Sequence, residues 1–185
     1  MKKLNVILLA VILISTLTAS AQSKKEISDA KKQLDEILSG IKQTEDYLQK
    51  FDTLDFVVYS NQEWERLHES HAENILVYYP DGSTTVGLED HIAALEPMFV
   101  FAPNTKITAH PIRFGSGQYT AVTGYIEGTF SDPMPIGEGK FIDPTGKSFK
   151  LPMVTIGLWK DGVIMYEEHL FWDNMAFMKQ IGLAN

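Results

Sequence analysis

Phe149-Lys150-Leu151-Pro152-Met153-Val154-Thr155-Ile156-Gly157-Leu158-Trp159-Lys160-Asp161-Gly162-Val163-Ile164-Met165-Tyr166-Glu167-Glu168-His169-Leu170-Phe171-Trp172-Asp173-Asn174 carries the clearest structural signal in the chain. Phe149–Trp159 and Val163–Trp172 are rich in β-branched and aromatic residues and read as strands. Lys160-Asp161-Gly162 lies between them, and an Asp-Gly pair suits a tight hairpin turn, so the two strands should run antiparallel. Asn174 to Ile181 then reads as a helix stopped by Gly182, the usual residue just past a helix end. Upstream, Gln118–Phe130 and Lys106–Phe114 have the same strand texture on either side of Gly115-Ser116-Gly117. A Pro- and Gly-rich connection, Ser131 to Lys147, reads as a surface link or, beside a pocket, a lid.

Closer to the N-terminus the pattern turns helical. From Thr44 to Tyr59, a stripe of Tyr47, Leu48, Phe51, Leu54, Asp55 and Val58 marks a helix. Ser60-Asn61-Gln62-Glu63 has the form of a capping box and would open another helix to about Ser70, with Trp64, Leu67 and His71 facing inward. Asn74 to Tyr79 reads as a strand ended by Pro80-Asp81-Gly82. Leu88, Ile92 and Leu95 mark a helix with Pro97 near its end. Earlier still, Ile27, Ala30, Leu34, Ile37, Ile41, Leu48 and Phe51 fall on a heptad grid. That predicts an amphipathic helix, packed on its own domain or serving as a dimerisation arm. Gly40 leaves room for two helices meeting there. Helices, then an antiparallel meander, then a helix make an α+β fold rather than alternating βαβ units.

The 185 residues suit one globular domain. With 16 basic against 24 acidic residues the chain carries −8, which argues against nucleic acid or an anionic membrane as partner. The absence of cysteine excludes disulfides, thiolate nucleophiles and Cys-bound zinc. Lys2 and Lys3, the apolar run Leu4–Leu17 and the small-residue end Ala19-Ser20-Ala21 have the order of a secretory signal peptide. The run is shorter than the ~20 residues a membrane span needs. Residues 1–21 are thus expected to be a leader, 22–43 an N-terminal amphipathic helix and 44–185 the domain. Without the leader the balance is 14 basic to 24 acidic. The mature protein is expected outside the cytoplasm, periplasmic or secreted, and off the membrane.

No phosphate-cradling loop or nucleophile elbow is present. His68-Glu69-Ser70-His71 spaces its histidines three apart and offers no evident third ligand, so no metal site is expected. The last strand is the better place for chemistry. Alternation sets Glu167, His169, Phe171 and Asp173 on one face and Glu168, Leu170 and Trp172 on the other. A carboxylate at the end of an aromatic-lined face could be desolvated and shuttle protons. Asp173 also stands just before a helix, where it could serve simply as the N-cap, or do both.

Several motifs together resemble one family. They are Asp81-Gly82 with Gly87-Leu88-Glu89-x-His91, His110-Pro111-Ile112-Arg113-Phe114-Gly115-Ser116-Gly117, Thr120-Ala121-Val122-Thr123-Gly124 and Leu151-Pro152-Met153-x-Thr155-Ile156-Gly157. The ending, Phe171-Trp172-Asp173-Asn174 with Phe177-Met178-Lys179-Gln180-Ile181-Gly182-Leu183, belongs with them. From about Thr44 to Leu183 the chain is similar to the SnoaL-like polyketide cyclases, often called ester cyclases. The resemblance implies the fold shared with nuclear transport factor two and ketosteroid isomerase. In that fold a cone-shaped, curved, antiparallel or mixed sheet has helices packed on its concave face around a pocket. It further implies an acid–base role for an Asp near the end of the last strand, matching Asp173. That role would serve an intramolecular aldol closure with no cofactor, and the fold commonly pairs as a homodimer.

The residues and the resemblance support two readings of function. In the first, the protein is an exported cyclase of lyase or isomerase type, working by acid–base chemistry at a carbon next to a carbonyl. Asp173 would be the base, aided by His169, His110 or His71, in a pocket lined by Trp64, His71, Phe99, Tyr125 and Phe171. In the second, it is a non-catalytic exported module that binds a small apolar or carbonyl-containing molecule.

Overall fold

A computed structural model of the protein describes residues 24–160 and 162–185. The leader expected at residues 1–21 and Asp161 of the expected Asp-Gly turn lie outside the described residues. Among the described residues no helix is long and apolar enough to cross a membrane. The chain divides into two units, Met1–Gly40 and Ile41–Asn185.

Among the described residues the first helix, α1, spans Lys24–Thr53, and Gly40 does not break it. The heptad pattern means different things along its length. Ile27, Leu34 and Ile37 are exposed, whereas Tyr47, Leu48 and Phe51 are buried in the core of the second unit. The helix predicted to run from Thr44 to Tyr59 instead changes winding at its end, where Leu54–Tyr59 forms a π-helical turn. Leu54, Asp55 and Val58 of this turn are buried.

The capping box does not form. The Ser60 hydroxyl donates to the Asp55 carbonyl at 2.6 Å and accepts from the Ile107 amide at 2.9 Å. Glu63 pairs with Arg66. The next element is a short 3-10 helix, Trp64–Glu69, so His71 does not extend a helical stripe. It opens strand β1, His71–Tyr78, longer than the Asn74–Tyr79 segment read from sequence.

The remaining elements are β2 (Thr84–Val86), α2 (Leu88–Phe101), β3 (Lys106–Ile107), β4 (Arg113–Ser116), β5 (Tyr119–Thr129), β6 (Met134–Pro135), β7 (Phe141–Ile142), β8 (Ser148–Lys160), β9 (Ile164–Trp172) and α3 (Asn174–Gln180). The Lys106–Phe114 run is two strands, not one, with Pro111 in the gap. A ring nitrogen without a proton cannot join a ladder there. Pro97 lies inside α2, about one turn before its end. Within the Ser131–Lys147 connection, β6 and β7 pair as a small hairpin.

The sheet runs in the order β2-β1-β9-β8-β5-β3, with β4 also on β5. It is mixed: β1 lies parallel to β9, while β8 pairs antiparallel with both β5 and β9. Along β8, Phe149, Leu151, Met153, Thr155 and Trp159 alternate inward toward the helices. Trp159 stacks on Tyr47 at 5.3 Å and meets Phe51 edge-on at 5.8 Å, while its indole N–H donates to Thr120 at 2.8 Å. Gly157 makes this approach possible. A Cβ there would sit 2.8 Å from the Met165 sulfur and 2.9 Å from the Trp159 nitrogen. A second cluster, built on Phe101, Phe130, Phe149 and Phe177, seats α3. Gly182, at φ +82°, ends that helix as expected.

Candidate functional site

Between the helices and the covered face of the sheet lies a cavity of about 130 Å³, room for a small molecule. Aliphatic and thioether side chains make most of its wall, among them Leu54, Leu95, Met98, Ile126 and Leu170. Its polar groups are fewer and include Asp55, His71, Tyr79, His91, Thr155 and Glu168. An apolar wall with a handful of convergent polar groups is the usual make-up of a small-molecule site.

Asp55 reaches the cavity from the π-helical turn. Its Oδ2 accepts a hydrogen bond from His110 Nε2 at 2.8 Å. The other ring nitrogen, Nδ1, donates to Asp52 Oδ1 at 2.8 Å. Asp52 in turn accepts from Arg113 at 2.6 Å, and Arg113 also reaches Glu45 at 3.1 Å. The imidazole of His110 is 1 % exposed, whereas Asp52 is 29 % exposed, so the chain of groups leads from the surface to the cavity. Burial pushes the Asp55 carboxyl above its ordinary pKa, and the contacts with His110 offset this only in part. Burial alone would lower His110, but the hydrogen bonds and charges of Asp55 and Asp52 hold it above its ordinary value. An Asp with a raised pKa and a fixed imidazole behind it is equipped to take up and return a proton.

The other polar cluster joins three elements. His71 from β1, His91 from α2 and Glu168 from β9 are all buried. Glu168 Oε2 stands 3.7 Å from His71 Nε2 and 3.6 Å from His91 Nε2. The far nitrogens are anchored: His71 Nδ1 lies 2.9 Å from the Ser70 hydroxyl and His91 Nδ1 lies 2.7 Å from the Tyr79 hydroxyl. Burial lowers His91 to about 4, so its ring is neutral near pH 7. Burial would raise Glu168, but the neighbouring imidazoles of His71 and then His91 outweigh it and hold the carboxyl below its usual range. Burial also pushes the Tyr79 hydroxyl up to about 12.

The residues picked out from sequence fall into three groups. His71 lines the cavity. His110, Trp64 and Phe99 stand behind its wall: His110 holds Asp55, and the Trp64 and Phe99 rings pack against Tyr59 at 6.2 and 5.1 Å. Asp173, His169, Tyr125 and Phe171 are on the opposite face of the sheet. There Tyr125, Phe171 and Asp173 border an open hollow with Pro111, Ile112 and Val154. Asp173 is exposed and accepts the Ala176 amide at 3.0 Å as the N-cap of α3. His169 stacks on Tyr78 at 4.4 Å and pairs with Glu167 at 2.8 Å.

Sequence reasoning missed Asp55, His91 and Glu168 as site residues, though each left a trace. Asp55 interrupts an apolar helical stripe, His91 follows Leu88 by three on the covered side of α2, and Glu168 alternates with Leu170 and Trp172.

The family model for SnoaL-like polyketide cyclases matches residues 52–181. No curated protein matches the chain. Among solved structures, a candidate SnoaL-like polyketide cyclase from Jannaschia sp. CCS1 is similar at 19 % identity and TM-score 0.62. The match covers 77 % of this chain and 95 % of that one. IdmH of Streptomyces antibioticus, a candidate polyketide cyclase, gives 19 % identity and TM-score 0.62 over 74 % of this chain and 98 % of its own. A third candidate cyclase, from Xanthomonas campestris pv. campestris, gives 13 % identity and TM-score 0.64 over 75 % and 98 %. At these identities the structural likeness establishes the fold alone.

Proposed function

Since the chain belongs to the SnoaL-like polyketide cyclase family, we propose that it is an exported enzyme moving a proton at a carbon next to a carbonyl, with Asp55 as the acid–base group. The family supports a cyclase- or isomerase-type function, and the proton chemistry is the finer reading. It rests above all on one observation. Asp55 lines the apolar cavity while its Oδ2 is held at 2.8 Å by a buried imidazole.

In this reading the substrate is a small enolisable carbonyl compound, such as a β-dicarbonyl or an ester. Its carbon acid faces Asp55. The apolar wall keeps water away and raises the basicity of the carboxylate. The aspartate takes the α-proton, forming an enolate, and returns a proton to carbon or oxygen after ring closure or isomerisation. His110 does not touch the substrate. It positions Asp55, and with Asp52 it connects the carboxyl to the protein surface. Tyr79, His71 and His91 line the same cavity as Asp55.

The same reading takes residues 1–21 as the export leader and has two copies pairing through the uncovered sheet face, where Phe114, Tyr119, Tyr125 and Phe171 are exposed. Sedimentation that returns the mass of one chain would remove the pairing.

The direct test is α-proton exchange in D2O followed by NMR, with a panel of β-dicarbonyl compounds and enolisable esters. Wild type should accelerate exchange in at least one of them. Asp55→Asn should lower that rate by roughly 10²- to 10⁴-fold, the usual span for a lost acid–base group, with an unchanged fold by circular dichroism. Saturable binding with no exchange in wild type would favour a binding module.

A further inference from the structure

The sequence offers His68 and His71 as a pair without a third ligand. The fold gives His71 other company. His68 is exposed and lies 2.6 Å from the Glu65 carbonyl through Nδ1. His71 faces His91 and Glu168, and one donor atom of each lies within 4.8 Å of the others. We propose that His71 Nε2, His91 Nε2 and Glu168 Oε2 form a site for one divalent transition-metal ion of the zinc type, open on its remaining side to the cavity.

Four features carry this. The first is the donor set: two imidazoles and a carboxylate leave at least one position for water or a ligand, as catalytic metal sites do. The second is spacing. Donors about 2.0–2.1 Å from one ion at an angle near 120° stand roughly 3.6 Å apart, and the Glu168 oxygen lies 3.6 and 3.7 Å from the two histidine nitrogens.

The third is an orphaned atom. His71 Nε2 is buried with no hydrogen-bond partner. Its Nδ1 lies 2.9 Å from the Ser70 hydroxyl, which also reaches the Leu67 carbonyl at 3.2 Å, so the ring is held from that side. Nε2 faces the Glu168 carboxylate oxygen 3.7 Å away, beyond hydrogen-bond reach. A cation between the two would give the orphaned nitrogen a partner and tie it to the carboxylate.

The fourth is the outer layer. Both rings are fixed through Nδ1, by Ser70 and by Tyr79, and the Tyr79 hydroxyl also meets Thr85 at 3.1 Å. Metal-binding histidines are held in this way, with the second nitrogen tied down so that the first is aimed. An ion here would share the cavity with Asp55, placed to polarise a carbonyl oxygen.

The site can be read without any substrate, so its failure is separate from failure of the acid–base assignment. The purified protein, lacking a polyhistidine tag, is stripped with a chelator and titrated with Co2+ and with Zn2+. The expected result is one equivalent of Co2+ with a visible d–d band of low-coordinate geometry, displaced by Zn2+, and a rise in melting temperature with Zn2+. His91→Gln and Glu168→Gln should lose the band. His68→Gln should bind as wild type does. Tyr79→Phe, which frees the His91 ring, should bind roughly 10- to 100-fold more weakly. No stoichiometric band in wild type, or an unchanged band in His91→Gln, overturns the site. Where ligand variants fail to fold, the remaining pair decides: equal affinity in Tyr79→Phe, or loss of binding in His68→Gln, also contradicts it.

Discussion

The two faces of the same sheet are built from the same strands and carry different chemistry. On β9, Glu168 faces the helices and is buried beside two histidines, while its neighbours Glu167 and His169 pair with each other on the outer side, each about a third exposed. On β8, Met153 and Thr155 border the cavity, whereas Val154 between them is exposed on the other side. A polar group gains strength as an acid, base or ligand where water is scarce and partners are fixed. Helices over one face supply both conditions; on the outer face partners are present but water is not excluded. Alternation alone distributes residues between faces, and cover decides which of them can do chemistry.

Stability measurements put this contrast at risk. Trp159→Ala should have the largest effect, about 3–5 kcal/mol by denaturant unfolding, because it removes a fully buried indole and leaves a cavity under Tyr47 and Phe51. A loss under about 1 kcal/mol would mean that the covered face is loosely packed.

His110→Gln comes next, at ~3 kcal/mol near neutral pH, since it strips a buried partner from Asp55. It should also change the pH profile. Asp55 and His110 both bind protons more tightly in the folded chain than in the unfolded one. Their contribution is therefore complete at low pH. The Asp55 part fades as pH rises above the ordinary carboxylate value of about 3.9, and the His110 part fades as pH rises above about 6.5. Asp52, Asp55 and Arg113 are the charged groups around this imidazole. Wild type should lose stability on the alkaline side, and His110→Gln should show a flatter profile there. An equally steep alkaline loss in the variant would remove His110 from the relay.

On the outer face the effects shrink. Asp173→Ala should cost about 1 kcal/mol, the worth of one N-cap, through the lost bond to the Ala176 amide. Phe171→Ala, at a side chain 49 % exposed, should stay within about 0.5 kcal/mol for a single chain. A larger Phe171 effect that grows with protein concentration is the mark of the proposed pairing through this face.

Much of the architecture was legible in the residues. The alternation along Phe149–Trp159 and Val163–Trp172, the terminal helix with its glycine stop and the α+β order all correspond to observed elements. The parallel pairing of β1 with β9 was not legible, because it joins segments nearly a hundred residues apart and no local pattern encodes it. The π-helical turn and the 3-10 helix were missed for a related reason. Their sequences keep helical spacing, and tertiary packing sets the winding.

The candidate site was half legible. Period-two alternation sorted Glu168 from His169 correctly, but it carries no label saying which face the helices cover. Choosing the face with more aromatic and titratable residues led to Asp173 and His169. Asp55 was visible as the one acid in an apolar stripe, and that mismatch was the better signal. A buried acid on a core stripe needs a partner, and its partner, His110, comes from a segment more than fifty residues away.

The most direct measurement puts the two aspartates side by side. Exchange of the α-proton of one enolisable carbonyl compound in D2O would be followed for wild type, Asp55→Asn and Asp173→Asn under the same conditions. The account predicts a loss of roughly 10²- to 10⁴-fold for Asp55→Asn and a rate within a few-fold of wild type for Asp173→Asn. The reverse order, with Asp173→Asn inactive and Asp55→Asn unimpaired, would contradict it and move the chemistry to the uncovered face.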